Sequence, residues 1–207
     1  MSVLVLGGDT GLAHFGWSLV ELRRDSEEVV AMGVIETEPS DKKARVLAAC
    51  DDFRRGREIA MCLTRELAAH NLTQRGASAL RAFCYEAISL PRNARTSAQI
   101  GIAFGVLAAL AEQYQLPAHE VSPQGLKKAL TGSGSATKEQ VARALAGRYG
   151  LAYTPEGKRK KGDLLGVTPG RNLLAHLPAG LHEHAWDSLG AVFACLRTDM
   201  MLAIRPR

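Results

Sequence analysis

The sequence contains no long apolar run. None approaches the roughly 18 residues that a membrane span requires, so no membrane partner is expected. Val3–Leu6 is too short for a signal-peptide core and follows no basic residue, so the expected localisation is cytoplasmic. Cysteine pairs are also lacking. Cys50, Cys62, Cys84 and Cys195 are far apart and show no C-x-x-C spacing, which excludes the common zinc and redox motifs. Apolar neighbours surround each one, and all four are expected to be reduced core thiols. There is no internal repeat and no low-complexity tract. The basic excess is small: net charge +5 and a pI near 9.2 are compatible with a polyanionic partner without requiring one.

A chain of 207 residues, 46% hydrophobic and 23% charged, can bury a real core, and we read residues 1–207 as a single domain. Val3–Gly8 reads as a buried strand ended by glycine. Phe15–Leu22 and Val29–Thr37 follow as two more, so the sheet begins with two antiparallel hairpin connections. Ser40 is a plausible helix N-cap. From Lys42 to about Asn71 the spacing turns helical, with Val46, Ala49, Phe53, Ile59, Leu63 and Leu67 as the apolar stripe.

Leu80–Ile88 is a fourth strand, and Ala94–Tyr114 is a small-residue-rich helix expected to pack closely on both sides. "LPAHEVSP" holds a short fifth strand. Gly125–Leu130 is a short helical piece, "TGSGSATK" a flexible loop, and Lys138–Tyr149 another helix. Gly150–His182, with three prolines and six glycines, reads as a loop insertion at 150–182. His184–Ala203 closes the chain as an amphipathic helix with a stripe of Leu189, Val192, Phe193 and Leu196. Trp17 and Trp186 are expected in the core. The result is an α/β fold, a mixed five-stranded sheet flanked by helices on both faces.

Three carboxylates stand at comparable places: Asp9 ends the first strand, Glu86 the fourth, and Asp187 lies at the start of the last helix. His184 is three residues before Asp187 and shares its helix face. Each has an ordinary structural reading, as a turn cap, a solvated strand end or a dipole-favoured helix start. If the first and fourth strands are neighbours and the last helix crosses their ends, the side chains converge. Converging carboxylates repel unless a cation neutralises them. An oxygen-rich set of this kind suits Mg²⁺ or Mn²⁺, the latter tolerating one imidazole. Cations also cluster, in "GKRKKG" with Lys158, Arg159, Lys160 and Lys161, in "RNAR", and at Lys127, Lys128 and Lys138. On spacing alone these lysines read as solvated surface.

Four segments, in order, resemble the RuvC family of Holliday-junction resolvases. "LGGDTGLAHFGWSLV" is similar to its first motif, a strand, G-x-D-x-G and a second strand. "YEAISLPRNARTSAQIGIAFGVLAAL" resembles its second, a strand-terminal Glu, a short loop and a glycine-spaced helix. "VSPQGLKKALTGSGSATKEQV" is the closest match, and "HAWDSLGAVFA" corresponds to the terminal acidic helix in its H-x-x-D form. The matches run from Val3 to about Ala194, with 150–182 outside them. The resemblance implies an RNase H-like fold and a metal-dependent, structure-selective endonuclease that nicks four-way DNA junctions symmetrically as a homodimer.

By that resemblance Asp9, Glu86, His184 and Asp187 are catalytic and hold two Mg²⁺ ions about 4 Å apart, with Mn²⁺ as a substitute. Lys138 is then a further catalytic residue near the scissile phosphate. Lys127, Lys138, Leu90, Arg92 and Asn93 contact branched DNA. Nucleotide hydrolysis is disfavoured, because the glycines before Lys138 do not have Walker A spacing. The loop after Glu86 departs from the family pattern: Ala87-Ile88-Ser89-Leu90-Pro91 holds no aromatic, which leaves Leu90 as the apolar wedge. Two alternatives therefore stand beside the resolvase, a broader branched-DNA, flap or RNase H-like nuclease and a non-catalytic junction-binding module.

Overall fold

The computed structural model describes residues 2–70, 80–88, 93–154, 170–198 and 204. Five strands, β1 (Val3–Asp9), β2 (His14–Leu22), β3 (Glu27–Glu36), β4 (Leu80–Glu86) and β5 (Ala118–Val121), form one sheet in the order β3-β2-β1-β4-β5. β1–β2 and β2–β3 pair antiparallel, as the two hairpins predict, whereas β1–β4 and β4–β5 pair parallel. Helix α1 (Ala48–Ala69) lies in the crossover from β1–β3 to β4, and α2 (Ala94–Gln113) in that from β4 to β5. Helices α3 (Pro123–Thr131), α4 (Lys138–Tyr149) and α5 (His182–Cys195) complete the chain.

Alternation along the strands divides the core in two. Val5, Val20, Val29 and Ala82 face α3, α4 and α5, while Leu6, Phe15, Leu19 and Phe83 face α1 and α2. Thr137 and Gln140 form a reciprocal capping box that starts α4 at Lys138, and Ser122 caps α3 ahead of a first-position proline. α5 is buried over nearly its whole surface from Ala185 to Cys195, lying on β1 and β2 beneath α3 and α4. That close approach requires glycine. A Cβ on Gly7 would meet the Ser188 carbonyl oxygen at 2.4 Å, and one on Gly16 the backbone of His184.

Several expectations change. Helix α1 begins at Ala48 because a 3-10 turn at Lys42–Ala44 ends on Arg45 in the left-handed region. Ser40 is not a cap; its hydroxyl donates to Asp51, and Asp41 caps the 3-10 turn. Ile59, Leu63 and Leu67 are buried, yet Val46 and Phe53 point to solvent and Ala49 is exposed. The inward side at that end of α1 is taken instead by Asp51, Asp52 and Arg55. α2 is covered on one side only, by Ala103, Leu107, Leu110 and Ala111, while Gly101 and Gly105 face open space. Cys84 and Cys195 are buried, but Cys62 is half-buried and Cys50 exposed, so not all four thiols are core residues.

α5 starts two residues early, ends at Cys195, and is enclosed rather than amphipathic. Part of the 150–182 segment is core: Leu151, Tyr153 and Leu174 are buried, and Leu151 bridges to Arg171. Lys158, Arg159, Lys160 and Lys161 lie outside the described residues, as does Asn71. Trp17 and Trp186 are buried as expected.

Candidate active site

β1 and β4 are parallel neighbours in register, Gly8 opposite Tyr85, so Asp9 and Glu86 emerge side by side at their carboxyl ends. Ligands of open α/β sheets gather at that place. The glycine contacts under α5 bring its first turns onto the same strand ends, adding His184 and Asp187. α3 and α4 close the side with Lys127 and Lys138. The result is an open cavity of about 300 Å³ lined by Asp9, Glu86, Lys127, Lys138, His184 and Asp187. All four predicted ligands and both predicted lysines meet in this one cleft.

The side chains are held by each other. His184 Nδ1 lies 2.8 Å from Asp9 Oδ2, and this hydrogen bond raises the imidazole pKa against the effect of burial. Lys138 Nζ donates to Asp187 Oδ2 at 2.9 Å and approaches Glu183 Oε2 at 3.5 Å. Burial raises the Asp187 pKa, and the Lys138 bond opposes it. Burial disfavours the Lys138 charge, but Asp187 and the neighbouring carboxylates more than compensate and lift its pKa. Glu86 has no such partner bond among the described contacts. Burial, then repulsion from Asp187 and Asp9, pushes its pKa up to about 7 despite Lys138 and Lys127.

A half-buried carboxylate held near neutrality by two others is a set short of positive charge, and its donors are hard oxygens with one imidazole. That chemistry fits Mg²⁺ or Mn²⁺. Among the described residues no three His, Cys, Asp or Glu side chains stand close enough as placed to ligate one ion. His184 bonds Asp9 Oδ2 and Lys138 bonds Asp187 Oδ2, so one oxygen of each of these carboxylates is already engaged.

Leu90 and Arg92 lie outside the described residues. Asn93 begins α2: its side-chain oxygen accepts from the Arg95 and Thr96 amides as an N-cap. Sequence reasoning missed three neighbours of the site. His14 places its ring 5.1 Å from that of His184. Glu183 faces both His184 and Lys138. Behind the cleft, buried Asp52 accepts from Arg95 and Gln99, and Arg55 donates to Thr37, which in turn donates to the Leu12 carbonyl. This chain ties the start of α2 to the loop after Asp9. None of the three carries a sequence signal, because each depends on contacts across the fold.

The fold and strand order are those of the RNase H-like class, with the acidic cleft at the strand ends. More narrowly, the chain belongs to the family described as crossover junction endodeoxyribonuclease RuvC, whose model matches residues 5–156. Similar curated proteins of that name include one from Sorangium cellulosum, 30% identical over 151 residues, covering 73% of this chain and 75% of the relative. Another, from Moorella thermoacetica, is 30% identical over 153 residues, covering 74% and 81%. Thermus thermophilus RuvC superposes with a TM-score of 0.63 at 20% identity, covering 93% of this chain and 95% of that one. The yeast mitochondrial Holliday junction resolvase Ydc2 follows at 0.54 and 13%, covering 96% and 80%. The family match includes Asp9, Glu86, Lys127 and Lys138 but stops before His184 and Asp187, whose place in the site comes from the geometry of α5.

Proposed function

We propose that this protein is a divalent-metal-dependent endonuclease that resolves four-way DNA junctions by symmetric nicking. The observation that carries the chemistry is the convergence of Asp9, Glu86 and Asp187 at one cleft, where burial and the two neighbouring carboxylates push the Glu86 pKa up to about 7. The substrate follows from family membership and from a Thermus thermophilus RuvC structure in complex with Holliday junction substrate, which shares the fold at a TM-score of 0.63 and 18% identity.

On this reading Asp9, Glu86, His184 and Asp187 would hold two Mg²⁺ or Mn²⁺ ions, which would supply activation of the attacking water and charge stabilisation of the leaving 3′ oxygen. Lys138 leaves Asp187 for the scissile phosphate, and Lys127, half-buried at the cleft wall, pairs with the DNA backbone. Leu90, Arg92 and Asn93 are assigned to DNA contact by the family resemblance alone. His14 and Asp9 together fix the plane of the His184 ring.

Symmetric nicking needs two sites, and we infer a homodimer formed through the outer face of α1 and α2. Among the described residues the exposed large hydrophobics are Val46, Leu47, Phe53 and Met61, all on α1 or the residues leading into it. Beside them α2 departs from the expectation of no span-length apolar segment: its 20 residues are long and apolar enough to cross a membrane by length and composition, though its inner side belongs to the core. A second copy covers such a surface without charge pairing. One nuclease domain working on DNA in the cytoplasm completes the reading.

The test offers strand-labelled four-way junctions, flaps, duplexes and RNA–DNA hybrids with Mg²⁺ or Mn²⁺ to the wild type and to Asp9→Asn. Paired nicks on opposing junction strands, absent from the variant, are expected. Nicks confined to flaps or hybrids would overturn the substrate, and binding without nicks would leave a junction-binding module.

A further inference from the structure

Glu183 has no part in the tetrad, yet each of its oxygens faces a member of the cleft. Oε2 lies 3.5 Å from Lys138 Nζ, and Oε1 lies 3.9 Å from His184 Nε2. The Lys138 ammonium thus stands between two carboxylates of different character. Asp187, with 16% of its side chain exposed, lies within the cleft and carries the shorter bond; Glu183, at 46%, stands at the lip. An ammonium at 2.9 Å from Asp187 Oδ2 occupies the space that a divalent cation bound to that oxygen would need. A cation that takes this oxygen would therefore displace Lys138. Its flexible four-carbon stem lets the charge swing without moving α4. Of the two carboxylates the ammonium meets, only Glu183 remains outside the metal set.

We propose that Glu183 is a positioning residue that takes over the Lys138 ammonium when Asp187 passes to the metal, and so keeps Lys138 at the mouth of the cleft where the phosphate enters. The inference rests on the nuclease reading above. A plain alternative makes Glu183 a dipole-favoured acid in the first turn of α5. That alternative affects helix stability and does not couple Glu183 to Lys138.

The test measures Mn²⁺ binding to the DNA-free protein, from the electron paramagnetic resonance signal of free Mn²⁺. The proteins are wild type, Glu183→Gln, Lys138→Ala, the double variant and Glu139→Gln. Glu139 lines an adjoining cavity with Lys138, Glu183 and Asp187 but bonds Arg143 at 2.7 Å, which makes it the control for a generic loss of charge. Glu183→Gln leaves Lys138 with Asp187 alone and is expected to weaken Mn²⁺ binding roughly two- to fivefold, the scale of a partly exposed ion pair. In the Lys138→Ala background the same substitution is expected to have almost no effect, and Glu139→Gln to have none. Junction nicking at saturating metal supplies a second readout: a lower kcat with unchanged KM, partly restored by Glu183→Asp. An equal loss of Mn²⁺ affinity with and without Lys138, or no loss in either background, would overturn the exchange. A wild type that binds no Mn²⁺ would overturn the nuclease reading itself, and this inference with it.

Discussion

The two faces of the sheet are covered to different depths. On one, α5 is buried from Ala185 to Cys195 and roofed by α3 and α4, and its amino-terminal turns reach the strand ends that carry Asp9 and Glu86. On the other, α1 and α2 form a single layer whose inner sides are core while Leu47 and Phe53 remain 74% and 66% exposed. The double layer fixes a charged constellation whose members repel; the single layer leaves large apolar side chains exposed. On the proposed reading, chemistry and assembly fall to opposite faces; a path of hydrogen bonds and ion pairs runs from Leu12 through Thr37, Arg55 and Asp52 to Arg95.

Substitutions on the two faces should therefore fail differently. The largest expected effect is on catalysis: Asp187→Asn should lower nicking by about three orders of magnitude or more, read on labelled junctions, with the fold retained by circular dichroism. Leu189→Ala, in the middle of the enclosed α5, should cost about 2–5 kcal/mol in denaturant unfolding. On the open face, Leu47→Glu with Phe53→Glu should weaken dimerisation about thirtyfold or more in sedimentation analysis, while unfolding free energy of the monomer changes little. In that monomeric background Met61→Ala should stay within about 0.5 kcal/mol. Comparable destabilisation by Leu189→Ala and Met61→Ala would remove the distinction between the faces.

Titration sharpens the charged side. Because Glu86 titrates near 7 in the folded, metal-free protein and lower when unfolded, the folded state holds the extra proton between those values. Stability of the metal-free protein should fall as pH rises through that window. The full shift corresponds to about 3 kcal/mol, reduced by solvent screening at this partly exposed group to ~1–2 kcal/mol. Glu86→Gln should recover that amount at pH 8 and little at pH 5. Metal binding near pH 6.5 should release a proton, seen as a buffer-dependent heat by calorimetry.

The strands were legible because a period of two and terminal glycines leave little choice of element, and the acidic set because carboxylates closing apolar strands are costly without a purpose. The outward side of α1 was not legible. Phe53 and Val46 satisfy helical spacing whether the surface they face is a core or a second chain, and the buried Asp52–Arg55 pair that displaces them looks like an ordinary solvated charge. Leu151, Tyr153 and Leu174 pack as single side chains from an irregular segment and so leave no period to detect. His14 meets His184 only because β2 pairs with β1 beneath α5, a contact 170 residues apart in sequence.

The most direct test uses a mixed dimer of wild type and Asp9→Asn, separated by tags and offered a four-way junction labelled on each strand. Two independent metal sites, one per copy, predict paired nicks from the wild-type dimer and a nick in one strand only from the mixed dimer. Paired nicks from the mixed dimer, or none from the wild type with either metal, would contradict it.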